Sequence, residues 1–329
     1  MKRHTFIVWV SIFVLGCGAG GAAVSLLSSD GGAIPKINID NDIRDRFSDN
    51  RFTSPLLECS ELPESISIGE RLDLEKEIEG KIASAKSKGV LTEASVYFRD
   101  LNNGPWFGIN ESFEFYPASL LKVPLAMYYY WQADTDPGIL SQEIEITAPI
   151  GSSIVHFPAR KELAVGTIYS IEDLIRLMLQ ESNNDAAHIL SQYAGSEKTA
   201  RVYKDLGIPT GMAENYSIDV HTYASFFRVL YNATYIGRSR SEHMLSTLSD
   251  SSFAQGLKAG VPSNVSVAHK FGEKVLDAES RSYQLHDCGI VYAGETPYTL
   301  CVMTQGRDFD ELAGFIQDVS ALVYEEVTR

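Results

Sequence analysis

The chain is poor in cysteine, lacks metal-ligand spacings and contains no block of positive charge. Its four cysteines form no CxxC pair, and no HExxH occurs, so neither of the common zinc signatures is present. Acidic residues outnumber basic ones, 43 to 28, for a formal net charge of −15. With no Lys/Arg tract to offset it, that balance argues against nucleic acid as a partner. No internal repeat is found. Charge is absent over one long stretch only, from Phe6 to Leu27. What remains is globular in character: 44% hydrophobic and 22% charged in 329 residues, enough for one large domain or two small ones.

The uncharged run follows Lys2 and Arg3 and is long enough to cross a bilayer as a helix. The flanking positive charges place the N-terminus in the cytoplasm and the remainder outside. An uncleaved membrane anchor is the expectation for residues 1–27. Cleavage after Gly21-Ala22-Ala23 and lipidation at Cys17 in "VLGC" are the alternatives, giving a secreted protein or a lipoprotein. Gly16, Gly18 and Gly21 match the GxGxxG pattern, but no βαβ unit surrounds them. They read as small residues of a membrane helix, with Gly16 and Gly20 a weak helix-pairing motif. Residues 28–69 are polar and broken by Pro and Gly, as expected of a tether. The stretch "TSPLLECSELPE" in it is a candidate for docking on the domain.

The folded part is expected over residues 70–329. A helix over "LDLEKEIEGKIASAKSKG" ends at Gly89. Strands follow in "EASVYFRDL" and "GPWFGINESFEF", around a turn at Asn102-Asn103-Gly104. The middle is helical, with a capping pattern at Ser170-x-x-Asp173 opening "SIEDLIRLMLQ". "HTYASFFRVLYNATYI" reads as a further amphipathic helix. Three strands in a row, "VSVAHKFGEKV", "RSYQLHDCGIVYA" and "YTLCVMTQG", precede a last helix. That order predicts an α+β fold, an antiparallel sheet built from both termini with a helical subdomain inserted. Cys288 and Cys301 flank a hairpin whose turn at Gly294-Glu295 sets them directly opposite. Strain in directly opposed cross-strand bridges weighs against their oxidation.

Three short motifs carry candidate chemistry. Ser119-Leu120-Leu121-Lys122 opens the apolar run "VPLAMYYYW", and a helix places Ser119 and Lys122 on one face. A helix N-terminus stabilises negative charge, and a lysine kept neutral by burial can take a serine's proton. The same four residues also fit a capping serine and a solvated lysine. Ser182-Asn183-Asn184 follows the helix "LIRLMLQ", where a turn is required anyway. Lys270-Phe271-Gly272 lies in an apolar strand, where the glycine permits close approach of a ligand or backbone. An edge-strand lysine is the plainer reading.

In this order, S-x-x-K, S-x-N and K-x-G are the motif set of serine β-lactamases and penicillin-binding proteins. From Leu72 to Val327 the chain resembles the class A β-lactamase-like family. "SLLKVPLAMYYYW" is similar to its nucleophile helix, "SNNDAAHIL" to its S-D-N segment, "HKFGE" to its K-T-G strand and "HDCGIVYAGETPYTLCVMTQG" to its last hairpin. The resemblance implies a five-stranded antiparallel sheet flanked by terminal helices, with an all-helical insertion. It implies Ser119 as nucleophile, Lys122 as general base, Ser182 as proton relay, and Lys270 as carboxylate attractor and part of the shuttle. Asn184 would bind the substrate amide and Gly272 would give the acyl group room. The backbone N–H groups of Ser119 and Glu273 would form the oxyanion hole, and Arg281 would be a second carboxylate anchor. No cofactor and no metal are implied, and the catalytic domain is expected to be monomeric.

Three departures from the family stand out. Asn183 replaces an aspartate. Phe271 replaces a threonine, which removes a hydroxyl and sets a ring at the edge of the site. The glutamate loop E-x-x-L-N, which serves deacylation in class A enzymes, is missing. Glu214 is the one carboxylate near the right position, with Asp219 next. Acylation is therefore expected to be easier than deacylation. The expected substrate is a β-lactam or a D-alanyl peptide, turned over by a β-lactamase or a D-alanyl peptidase or esterase. A module that stays acylated is the non-enzymatic alternative.

Overall fold

The protein is described by a computed structural model covering residues 51–54, 68–102, 104–148, 155–207 and 217–329. All of these belong to one compact unit, Asp45–Arg329. Among the described residues no helix is long and apolar enough to cross a membrane. The predicted anchor, residues 1–27, lies outside them.

The chain begins its domain with helix α1 (Ile68–Ser87) and the strands β1 (Leu91–Asp100), β2 (Trp106–Ile109) and β3 (Glu114–Phe115). A 3-10 turn, Ala118–Leu121, runs directly into α2 (Lys122–Gln132). Then come β4 (Glu143–Glu145), β5 (Ile168–Ser170), α3 (Ile171–Gln180), α4 (Asn184–Ala194) and α5 (Ser196–Asp205). They are followed by β6 (Ile218–Asp219), α6 (Val220–Tyr231) and α7 (Arg238–Ser249). The chain closes with β7 (Ser266–Asp277), β8 (Ser282–Tyr292), β9 (Tyr298–Gly306) and α8 (Phe309–Val327). The main sheet is five-stranded and antiparallel in the order β2-β1-β9-β8-β7, so both ends of the domain build it, as expected.

Period-two alternation sorts the sheet's side chains onto two cores. Val96, Phe98, Val267, Leu285 and Val302 face Leu74 and Ile78 of α1 and Leu312, Ile316 and Val319 of α8. Ala268, Cys288, Ile290, Cys301 and Met303 face the inserted helices. Helix α2 is the hub of that second core. Lys122 through Tyr130 are all buried, as a helix apolar on every side must be. Its one proline, Pro124, falls in the first turn, where no intrahelical N–H is lost.

The capping pattern predicted at Ser170 holds. Ser170 caps α3, its Oγ accepting from Asp173 N at 3.0 Å and donating to Asp173 Oδ2 at 2.7 Å. Two helices were not legible, α5 and α7, both polar in composition with few apolar residues. "GPWFGINESFEF" is not one strand. It breaks at Asn110, where φ is +50°, and its end, β3, pairs with β6 in a separate small sheet.

Cys288 and Cys301 are opposite each other in the β8–β9 ladder and joined by a disulfide, with Cα atoms 3.9 Å apart. The expectation that strain would keep them reduced is overturned. Both side chains point into the same buried layer, where the pairing register holds them together whether or not they are bonded.

Part of the predicted tether is structured. The N–H groups of Arg51, Phe52 and Thr53 all donate to the carboxylate of Glu242 on α7, at 2.7, 2.8 and 2.8 Å. Thr53 Oγ1 adds a fourth bond at 2.9 Å, Ser54 N donates to Tyr231 O at 2.8 Å, and Tyr292 Oη donates to Phe52 O at 2.8 Å. The Phe52 ring meets Tyr292 edge-on at 5.1 Å. This segment joins α6 and α7 to the end of β8. Replacing Glu242 by alanine strands three backbone donors. The expected cost is about 1–3 kcal/mol, read as a lower urea midpoint for the variant.

Candidate active site

Ser119 sits in the 3-10 turn ahead of α2. Residues i and i+3 eclipse in a 3-10 turn, so Ser119 and Lys122 share a face, though not as an α-helix would place them. Ser119 caps nothing. The N-cap positions of the turn and of α2 are Pro117 and Leu121, neither with a side-chain cap. The capping-serine reading therefore fails. Ser119 lines a cleft of about 560 Å³ with Lys122, Asn184, His188, Glu273 and Lys274.

Several contacts hold that turn in place. Ala118 has φ +48°, a left-handed conformation that costs a non-glycine residue energy and persists where the surroundings enforce it. Tyr116, just upstream, is gripped on both sides by β8. Its N–H donates to Gln284 Oε1 at 3.1 Å, and its carbonyl accepts from His286 Nε2 at 3.1 Å. His286 is fully buried, and its Nδ1 accepts from Thr304 N at 3.2 Å. These two bonds select the neutral tautomer with the proton on Nε2, and burial pulls the ring's pKa down to about 4. From the helical side, Tyr223 Oη on α6 donates to Leu120 O at 3.0 Å. Strand β7 presses from below. A Cβ at Gly272 would lie 3.0 Å from Pro117 O and 3.2 Å from Leu120 N. The glycine of K-x-G is thus needed for backbone to meet backbone.

The other two motifs converge on this place. Ser182 lies between α3 and α4 with φ +52°, a second strained residue at the site. Its Oγ accepts from Lys270 Nζ at 2.8 Å and is 3.2 Å from Lys122 Nζ. Lys122 Nζ also donates to Ser182 O and Asn184 Oδ1, both at 2.6 Å. Those two carbonyl bonds use both N–H groups of a neutral amine, leaving its lone pair for a hydroxyl. Lys270 Nζ donates in addition to Phe271 O at 2.8 Å. Although β7 is an edge strand, Lys270 is completely buried rather than solvated.

Two lysines within reach of one hydroxyl cannot both stay charged at low cost. Burial, opposed by the charge of Glu273, brings the Lys122 amine down from 10.5 to about 7. Burial lowers Lys270 well below the ordinary lysine range, and the neighbouring Lys122 lowers it further. At neutral pH the pair therefore holds a deprotonated amine in the cleft that Ser119 lines.

Asn183 has a structural account. It caps α4 by accepting from Ala186 N at 2.8 Å, and its Nδ2 donates to Lys161 O at 2.9 Å. A carboxylate in its place could not make the second bond. Phe271 is also explained, and differently from expectation. Alternation sets its ring toward the opposite sheet face, and Lys270 Nζ still lies over the ring at 4.3 Å from its centroid. There it stacks on Phe253 at 4.1 Å and meets Phe157 edge-on at 6.1 Å. Glu273 serves the same segment, its carboxylate accepting from the N–H groups of His156 and Phe157 at 2.8 and 3.1 Å. Phe271 and Glu273 thus seat the stretch that includes residues 156–161, which Asn183 ties to the Ser182 loop.

Two predicted residues are not brought together with the rest. Arg281 lies in the turn after β7, 64% exposed, 3.5 Å from Asp308 and away from the cleft lining. Seven residues of strand and turn separate it from Glu273. Asp219 is engaged as the N-cap of α6, accepting from Thr222 N at 2.7 Å. Glu214 lies outside the described residues. The sequence reading missed Tyr116, Gln284 and His286 as supports of the turn. It also missed His188, whose only signal was its place one turn after Asn184.

Comparison with known proteins agrees with this architecture. Among solved structures, a β-lactamase from Chitinophaga pinensis DSM 2588 superposes with a TM-score of 0.67 at 18% identity, covering 77% of this chain and 98% of that one. TLA-1 extended-spectrum β-lactamase gives 0.67 at 16% identity, covering 78% and 99%. An acyl-enzyme complex of PBP-A with penicillin-G gives 0.63 at 18%, covering 80% and 98%. At such identities the likeness speaks for the fold. No curated protein matches the chain by sequence. The profile of the beta-lactamase enzyme family, however, matches residues 73–327, and the chain belongs to that family.

Proposed function

We propose that the protein is an exported serine hydrolase that opens β-lactam amides through an acyl-enzyme, in the manner of class A enzymes. The observation that carries this reading is the convergence of Lys122, Ser182 and Lys270 beside an uncapped Ser119. Neutral Lys122 takes the proton of Ser119 Oγ as that oxygen attacks the amide carbon. The developing oxyanion accepts from the backbone N–H groups of Ser119 and Glu273, each such donor being worth about 2.7–4 kcal/mol. As the C–N bond breaks, Ser182 Oγ protonates the leaving nitrogen, and the adjacent lysines restore its proton. The disulfide supports export to an oxidising compartment, held there by residues 1–27.

A second reading, a D-alanyl peptidase or esterase, draws support from the missing E-x-x-L-N loop. A peptidase does not need that glutamate, and PBP-A is a structural neighbour. One experiment decides between them. The protein is incubated with a fluorescent penicillin and, separately, with a chromogenic cephalosporin. Covalent label is expected on wild type and absent from Ser119→Ala, with acylation faster than turnover. Sustained cephalosporin hydrolysis supports the β-lactamase, and a lasting label without it supports the peptidase. Equal behaviour of wild type and Ser119→Ala would sink both.

A further inference from the structure

The acyl-enzyme reading, on which this inference rests, needs a base to activate water for the second half of the reaction. The cleft offers few candidates. Both carboxylate oxygens of Glu273 are occupied by the N–H groups of His156 and Phe157. Tyr203 is a phenol whose pKa burial pushes up to about 12, so it does not accept a proton near neutrality. Lys122 is already assigned to proton removal in acylation, with its amine held by Ser182 and Asn184. His188 remains. It lines the same cleft as Ser119 and Lys122, is exposed to solvent, and its ring has no hydrogen bond among the described residues.

Its placement follows from α4. It is the fourth residue after Asn184, which puts it on the same helix face about 6 Å further along the axis. Side chains of a helix lean toward its N-terminus, so the imidazole leans toward the turn that holds Asn184. The oxygen of Asn184 is 2.6 Å from Lys122 Nζ. The imidazole therefore sits on the helical side of the cleft, with open space between it and the nucleophile turn. The titratable groups that face it across the cleft are Tyr116 before the nucleophile turn, Lys122 on α2, Tyr203 on α5, and Glu273 and Lys274 on β7. Asp185 lies on its own helix.

We propose that His188 is the general base of deacylation. A ring nitrogen takes one proton from a water in the cleft as the water oxygen adds to the carbonyl carbon of the Ser119 ester. The tetrahedral adduct collapses, the carbon–Oγ bond breaks, and the electron pair returns to Ser119 Oγ. That oxygen regains the proton held by the imidazolium, and the acid product departs. No further reactant is required.

The test separates the two halves of the reaction in the full chain. Wild type, His188→Gln and Glu214→Gln are each labelled with fluorescent penicillin and freed of excess reagent, and loss of label is followed across pH. His188→Gln is expected to acylate within about twofold of wild type but to hold the label about 10²-fold longer, or more, as loss of a general base implies. Loss of label from wild type should depend on pH, and the variant should lack that dependence. An unchanged lifetime in His188→Gln overturns the proposal while leaving the acyl-enzyme intact. A long lifetime in Glu214→Gln alone overturns it as well. If wild type takes no label, the acyl-enzyme reading falls and this one with it.

Discussion

Replacing Lys122 by alanine is expected to slow acylation of Ser119 by about 10²–10⁴-fold, the usual worth of a positioned general base. The expectation rests on geometry and charge together. Lys122 is 5% exposed, and its amine is held by two carbonyl oxygens at 2.6 Å. Burial, partly offset by Glu273, brings its pKa from 10.5 to about 7. The sign follows directly. A base must be neutral, so acylation should climb as pH rises to about 7 and level off above it. The variant should lose both the rate and the limb. Stopped-flow labelling with fluorescent penicillin over pH 5–9 measures both. Acylation of the variant within threefold of wild type, with the limb intact, would assign proton removal to another group. The same lysine links stability to pH. Between about 7 and 10.5 it is charged when unfolded and neutral when folded, so the unfolded chain binds more protons. The penalty of burying it therefore shrinks as pH rises through that window.

The second large effect concerns the support beneath β7. Asp287 and His269 are 0% and 1% exposed, and His269 Nδ1 donates to Asp287 Oδ1 at 2.8 Å. Asp287 Oδ2 also accepts from Leu257 N at 2.9 Å. Gly256, at φ +59°, packs so closely that a Cβ there would come 2.6 Å from the same oxygen. Asp287→Ala leaves two buried donors without an acceptor beside Lys270. Each buried donor left unpaired costs about 1–3 kcal/mol, a large part of the 5–15 kcal/mol that typically holds a domain together. Urea unfolding should show a much lower midpoint for Asp287→Ala and a smaller loss for Asp287→Asn, which keeps one acceptor. Equal midpoints for wild type and Asp287→Ala would mean that the pair contributes nothing to the fold.

Much of the site was legible because its chemistry is carried by short motifs. Spacing alone put Ser119 and Lys122 on one face, and turn chemistry put Ser182 and Asn184 on a loop. Alternation, strand order and the hairpin turn gave the sheet and the opposition of Cys288 to Cys301. Helices α5 and α7 stayed hidden because their composition is polar and few apolar residues mark them out. Arg281 was misplaced for a related reason. A spacing along a strand says how far a residue lies from Lys270, while the twist and the turn decide where it points.

What the order of residues determined by itself was the individual strands, the capped helix start at Ser170 and three short motifs, since each depends on contacts within a few residues. The tertiary structure decided the rest. It buried two lysines around one hydroxyl, turned Phe271 to the far face, joined the cysteines and docked residues 51–54 on Glu242. These outcomes depend on desolvation and on partners more than fifty positions away for the lysines and the docked segment, and neither quantity can be read from a local stretch of chain.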